Sequence, residues 1–187
     1  MPNEKKAIDY VISNETFVKS GQVISHYENP ATGEISSWGI SLKWLKTIDP
    51  EATADTVRNL TQDAAVDLYY NHWFMANHLD LLTSDKLAAK MLDICVNCGA
   101  GTGIKLLQTA LNEPLENPAQ HLAVDGVIGP KVAEMARLDT ATSIGEYGLL
   151  AALVSLLEDH YKEIVEKNPA RASDLPVWLA RAEKLPC

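Results

Sequence analysis

Ile8, Val11, Ile12 and Glu15 fall at i, i+3, i+4 and i+7, so a carboxylate completes the apolar stripe of a helix predicted over residues 4–18. A carboxyl group held against apolar surface loses hydration, which favours its protonated form and suits it to donate a proton. Hydrolysis of a glycosidic bond calls for such a group beside the leaving oxygen. It also needs a second group that activates water or supports the charge developing on the sugar. On spacing alone the commoner reading of Glu15 is blander, a solvated acid at the edge of the stripe. Tyr69, Tyr70, Trp73 and Phe74 gather on a second predicted helix. Aromatic residues so placed are mostly core, yet Tyr69 and Trp73, four apart, share a face and are the pair chosen to line a sugar cleft. Cys95-Val96-Asn97-Cys98 has C-x-x-C spacing. A redox pair would want a strand-to-helix context and a structural zinc site a second ligand pair, so buried thiols are the preferred account. Asn97 is read as orienting either a backbone turn or a substrate amide. No metal, nucleotide or other cofactor is implied.

The elements that must position these groups are mostly helical. After the first helix, residues 22–38 read as a hairpin: alternation at Val23, Ser25 and Tyr27 leads into turn chemistry at Asn29-Pro30-Ala31-Thr32-Gly33, then Glu34-Ile35-Ser36. Short helices are predicted over 41–47 and 51–59. Thr61 caps one running to about Phe74, and Ser84 caps one running to about Asn97. Glycines at 99, 101 and 103 precede a helix from Ile104 to about Asn112. Asp125-Gly126 reads as a turn, and Pro130 suits the first turn of a helix over 130–138. Helices over 142–166 and 172–184 close the chain. No repeat or low-complexity linker is visible.

Composition bounds what the chain does. Its 187 residues are 47% hydrophobic and 22% charged, enough for a sizeable core. A net charge of −9 argues against nucleic acid and against an anionic membrane surface. Three cysteines make no complete disulfide framework. The opening MPNEKKAIDY has no apolar stretch of signal-peptide type. The longest apolar run, residues 148–157, is too short to span a bilayer. The expectation is a chain made in the cytoplasm.

Residues 7–41, AIDYVISNETFVKSGQVISHYENPATGEISSWGIS, resemble the opening of glycoside hydrolase family 108. These N-acetylmuramidases occur as phage endolysins and bacterial "secretion activator" proteins. That family has a helix ending in E-G-G-Y, then N-P-x-D-P-G-G-x-T, then an aromatic-G-I-[ST]. Here the helix through Glu15, Asn29-Pro30-Ala31, Gly33, Ser36 and Trp38-Gly39-Ile40-Ser41 stand in the same order. The helix of Asp67–Phe74 is similar to the family's aromatic helix, and Asp93 with Asn97 and Gly99 to its D-x-x-x-N-x-G. Leu106-Leu107-Gln108 with Val124–Pro130 is similar to its peptidoglycan-binding-type module, and Val177-Trp178-Leu179-x-Arg181 to its closing G-W-L-x-R. The likeness covers nearly the whole chain. Two departures stand out: Thr16-Phe17-Val18 replaces G-G-Y, and Thr32 stands where the family has Asp.

The resemblance implies a mainly α, lysozyme-like fold with a small β-hairpin near the N-terminus. A muramidase-like region would occupy 1–100 and a peptidoglycan-binding-type region 101–187, packed as one unit. It implies cleavage of the β-1,4 bond between N-acetylmuramic acid and N-acetylglucosamine, with Glu15 as the acid. Glu34, rather than Glu28, is chosen to replace the missing Asp, and Glu34 with Ser36 would position water. Tyr69, Trp73 and Asn97 would contact the sugar, and the partner would be peptidoglycan glycan strands. Action in the periplasm or wall would follow export through a holin-like or other non-classical route. The alternative is a peptidoglycan-binding or secretion-accessory protein that keeps the fold without turnover.

Overall fold

The computed structural model describes residues 3–19, 22–29 and 32–187. Helix α1 spans Glu4–Glu15; the Asn3 side chain accepts a hydrogen bond from the Lys6 amide at its start, and Ala7, Ile8, Val11 and Ile12 are buried. It ends three residues short of the predicted boundary. Thr16 is extended, and the β-branched and aromatic run Thr16-Phe17-Val18 favours a strand. Strands β1 (Phe17–Lys19) and β2 (Gln22–Ile24) pair antiparallel. Strands β3 (His26–Asn29), β4 (Glu34–Ser37) and β5 (Ile40–Ser41) form a second antiparallel sheet. The single hairpin predicted over 22–38 is therefore two pairings: residues 22–24 pair back onto 17–19, and 26–29 pair forward onto 34–37.

Helix α2 (Leu42–Leu45) is capped by Ser41 and α3 (Ala54–Arg58) by a Thr53/Thr56 capping box. Helix α4 (Gln62–Tyr69) is capped by Thr61, then widens into a π-helical segment over Tyr70–Met75. Sequence periodicity missed that change. Tyr69 and Phe74 are both buried, yet five residues of α-helix would leave them roughly 140° apart; an i→i+5 turn brings them onto one face.

Helix α5 (Asp85–Cys98), capped by Ser84, is the central element, buried continuously from Leu87 to Cys95. Helix α6 (Ala100–Asn112) begins four residues before the predicted Ile104, because Gly99, at φ 84°, makes the turn alone. At Gly103 the two helices approach so closely that a Cβ would lie 3.0 Å from Ile94 Cγ2. Helix α7 (Pro130–Asp139) starts on Pro130, and the Asp125 carboxylate accepts from the Val127 amide in the turn before it. Helix α8 (Ser143–Lys167) leads through a 3₁₀ segment to α9 (Leu175–Glu183), shorter at its start than the predicted 172–184.

The packing runs from α1 onto α5, α5 onto α6, α6 onto α8 and α8 onto α9. One buried cluster runs from Ala7 on α1 to Ala182 on α9. The fold is thus mainly helical with small antiparallel sheets near the N-terminus. Among the described residues no single helix is long and apolar enough to cross a membrane.

Candidate active site

Glu15 is the last residue of α1, and its side chain is 20% exposed. Arg181, reaching in from α9, donates from Nη2 to Glu15 Oε1 at 2.5 Å and to Asp93 Oδ1 at 2.9 Å, and its Nε also reaches Asp93. Asp93 sits on the buried run of α5 with a side chain 2% exposed, and accepts a further bond from Asn14 Nδ2. With its amide oxygen facing the guanidinium, Asn97 accepts from Arg181 Nε and Nη1 at 3.1 and 3.3 Å. Burial works against the Arg181 charge, but the Asp93 and Glu15 carboxylates outweigh it and hold the guanidinium protonated, its pKa raised.

Two other side chains fix this frame. Lys90, fully buried, donates to the carbonyls of Ala182 and Lys184, and Tyr10 Oη donates to the Lys184 carbonyl at 2.9 Å. The backbone just after Arg181 is therefore anchored to α5 and α1. The β4–β5 turn lies over Glu15. Trp38 adopts φ 55° and Gly39 φ 81°, and a Cβ on Gly39 would collide with Tyr69 Oη and lie 2.5 Å from Glu15 Cγ. Only glycine lets the backbone come so near the carboxylate at that φ.

The chosen residues fall in different places. Tyr69 is fully buried, and its hydroxyl donates to the Trp38 carbonyl. It props the turn over Glu15 and presents no ring face to a sugar, which corrects its choice as a cleft residue. Burial pushes its phenol pKa far up, with Glu15 adding to the effect. Trp73 is half-buried, 4.0 Å from Trp44 in a stacked pair and 5.2 Å from Tyr69. Trp44, on α2, went unnamed in the sequence because its partner is distant along the chain. Asn97 is exposed and touches Arg181. Glu34 is exposed, and its contact is with Thr32 Oγ1; it stands at the far end of β4 from the turn over Glu15. Four residues at ~3.3 Å each put the Glu34 backbone about 13 Å from Trp38 along the strand, with Ser36 halfway. Glu28 is held by Arg58, whose hydrogen bond lowers the carboxyl pKa. Cys95 is buried and Cys98 half-buried near Tyr161 Oη, both as free thiols. Among the described residues no cluster of His, Cys, Asp and Glu is arranged to hold a metal ion.

Arg181, Asp93 and Asn14 are the residues that the choice of catalytic groups passed over. Asp93 and Arg181 both stood in matched motifs, which was the available signal.

Residues 14–99 match the family described as glycosyl hydrolase 108, and residues 102–183 match the family described as predicted peptidoglycan domain. Among solved structures, SagA from Brucella abortus is similar over 97% of this chain and 96% of its own, with a TM-score of 0.60 and 21% identity. That likeness is one of fold. No curated protein sequence matches the chain.

Proposed function

The chain belongs to the glycosyl hydrolase 108 family, with a predicted peptidoglycan domain behind the hydrolase region, and from that premise we propose that it is a muramidase. It cleaves the β-1,4 bond between N-acetylmuramic acid and N-acetylglucosamine, with Glu15 as general acid. The observation that carries this reading is the setting of Glu15: a partly exposed carboxylate at a helix end, held through one oxygen by Arg181 beneath a turn that only glycine fits. No described residue partners Oε2, so that oxygen is the one free to face the leaving glycosidic oxygen. The guanidinium fixes the other oxygen and keeps the group aimed.

Ser36 and Glu34 share one face of β4, and in this reading they hold the attacking water on the far side of the sugar. A retaining scheme brings two carboxyl groups to ~5–5.5 Å, whereas an inverting one leaves ~6.5–9.5 Å for water. Glu34 stands at the far end of β4 from the turn that lies over Glu15, and this reading takes the wider, inverting arrangement. The protein would act in the periplasm or wall after export by a holin-like or other non-classical route.

A second reading has two observations in its favour. The Glu15–Arg181 ion pair and the distance to Glu34 also suit a wall-binding protein without turnover. Incubation with purified sacculi separates the two. The folded wild type is expected to release muramic-acid reducing ends, Glu15→Gln none while still sedimenting with sacculi, and Glu34→Gln about 10²–10⁴-fold less than wild type. Binding without release by the wild type would sink the enzyme reading.

A further inference from the structure

The strand that carries Glu34 and Ser36 also forms one wall of a concavity of about 460 Å³, whose opposite wall is α2. Its floor is apolar, from Ile35 and Leu42, and Tyr27, 53% exposed, stands on the β3 side across from Ser36. Lys43 and Lys46 line the α2 side.

The chain carries 25 acidic residues against 16 basic ones. Among the described residues Lys86, Lys105 and Lys184 also form no ion pair with a carboxylate, but only Lys43 and Lys46 share one concavity, and ten other cations are committed. Lys5, Lys6, Arg58, Arg137, Lys162, Lys167, Arg171 and Arg181 each meet a carboxylate, while Lys90 and Lys131 meet backbone carbonyls. Among the described residues no carboxylate lies within ion-pair distance of Lys43 or Lys46. Lys43 on α2 and Lys46 just past its end put two exposed ammonium groups on one side of the hollow, across from Tyr27 and Glu34, and that side forms a place for an anionic ligand with apolar content. The lactyl carboxylate of a bare muramic acid is held close to its own sugar ring, whereas a peptide carries its carboxylates several residues away from it.

We propose that this concavity is a subsite for the short peptide that muramic acid carries, its carboxylates paired with Lys43 and Lys46 and its side chains on Tyr27 and Leu42. The proposal rests on the peptidoglycan reading above. Reach is consistent with it. The lining of the concavity on β4 runs from Ser36 to Glu34, roughly 7 to 13 Å along the strand from Trp38, a distance that two to four extended peptide residues span at ~3.3–3.6 Å each. A sugar placed at Glu15 would thus deliver its peptide to the lysines along the same strand. The subsite makes the protein selective for peptide-bearing muramic acid over bare glycan.

The test is direct binding, which needs no cleavage. The full-length wild type is titrated by calorimetry with a synthetic N-acetylmuramyl tetrapeptide, and with the same molecule carrying every peptide carboxylate as an amide. Two exposed ion pairs predict that the free-acid form binds about five- to tenfold more tightly at low salt. That preference is expected to vanish in Lys43→Ala/Lys46→Ala, return in Lys43→Arg/Lys46→Arg, and weaken in 0.5 M salt. Equal binding of the two ligands overturns the proposal, and so does a preference that survives removal of both lysines. The muramidase reading fails separately, in the sacculus assay, so the two failures are distinguishable.

Discussion

Arg181 binds one carboxylate that is nearly buried and another at the surface, and the difference decides what its removal does. Asp93, at 2% side-chain exposure, has no access to water if the guanidinium goes, whereas Glu15 at 20% can be rehydrated. Breaking a buried pair from one side costs ~3–5 kcal/mol, because an uncompensated charge remains. Arg181→Met is therefore expected to lose about that much in urea unfolding, and to lose turnover besides. Adding Asp93→Asn should recover part of the stability and none of the turnover. If the single variant unfolds like wild type, the network does not hold the site. At this scale the place of Glu15, an acid at the end of the stripe of Ile8, Val11 and Ile12, shows in the spacing, while its proposed role came from the family resemblance. Its partner was not legible, since no local periodicity connects residue 15 to residue 181. Tyr69 and Trp73 share a helix face, but which ring is buried depends on Trp38 and Trp44, contributed by other elements.

Elements were easier to read than residues wherever caps marked their ends. Thr61 and Ser84 cap the helices they were expected to cap, and Pro130 opens α7. Boundaries failed where tertiary packing overrode local preference: at Tyr70–Met75, where two buried rings five apart require a π-helical turn, and at residues 22–24, which pair with 17–19 rather than with the strand ahead. The β4–β5 turn is the element on which the site depends most closely. Gly39→Ala meets both a backbone penalty at φ 81° and a collision with Glu15. It should lose more than the ~1–2 kcal/mol that a left-handed alanine costs alone, and its turnover should fall further than its stability. Gly99→Ala is the comparison: φ 84° with nothing within 4 Å of the added Cβ, so it should lose stability only. Equal effects on turnover in the two variants would show that the turn does not govern the position of Glu15.

Over the whole molecule, ionisation inside the core sets how the fold tolerates alkali. Burial pushes the Cys95 thiol from 9.0 up to about 12 and the Tyr10 phenol from 10.0 up to about 12. In each case the folded pKa lies above the unfolded one, so the stabilisation is full below the unfolded value and is lost as pH rises through the folded value. Lys90 acts in the opposite sense. Burial lowers its ammonium from 10.5 to about 8, so its contribution improves between those two values. A comparison of wild type with Cys95→Ala removes the Lys90 and Tyr10 effects. The variant should be the less stable at pH 8, and the gap should close by up to ~4 kcal/mol between pH 9 and 12, at ~1.36 kcal/mol per pH unit. A gap independent of pH in urea melts would contradict the assignment. The two family matches meet between Gly99 and Thr102, yet the core crosses that point without interruption.

The 166 residues separating Glu15 from Arg181 also set a schedule for synthesis. A ribosome adding ~5–20 residues per second needs roughly ten to thirty seconds to pass from one to the other. Through that interval the nascent chain carries its proposed acid without the partner that aims it. A chain that stalls, or is clipped before α9, never gains that partner. Competence to cut a cell wall would then arise only when translation has nearly finished, which protects the cell that makes the protein from its own fragments.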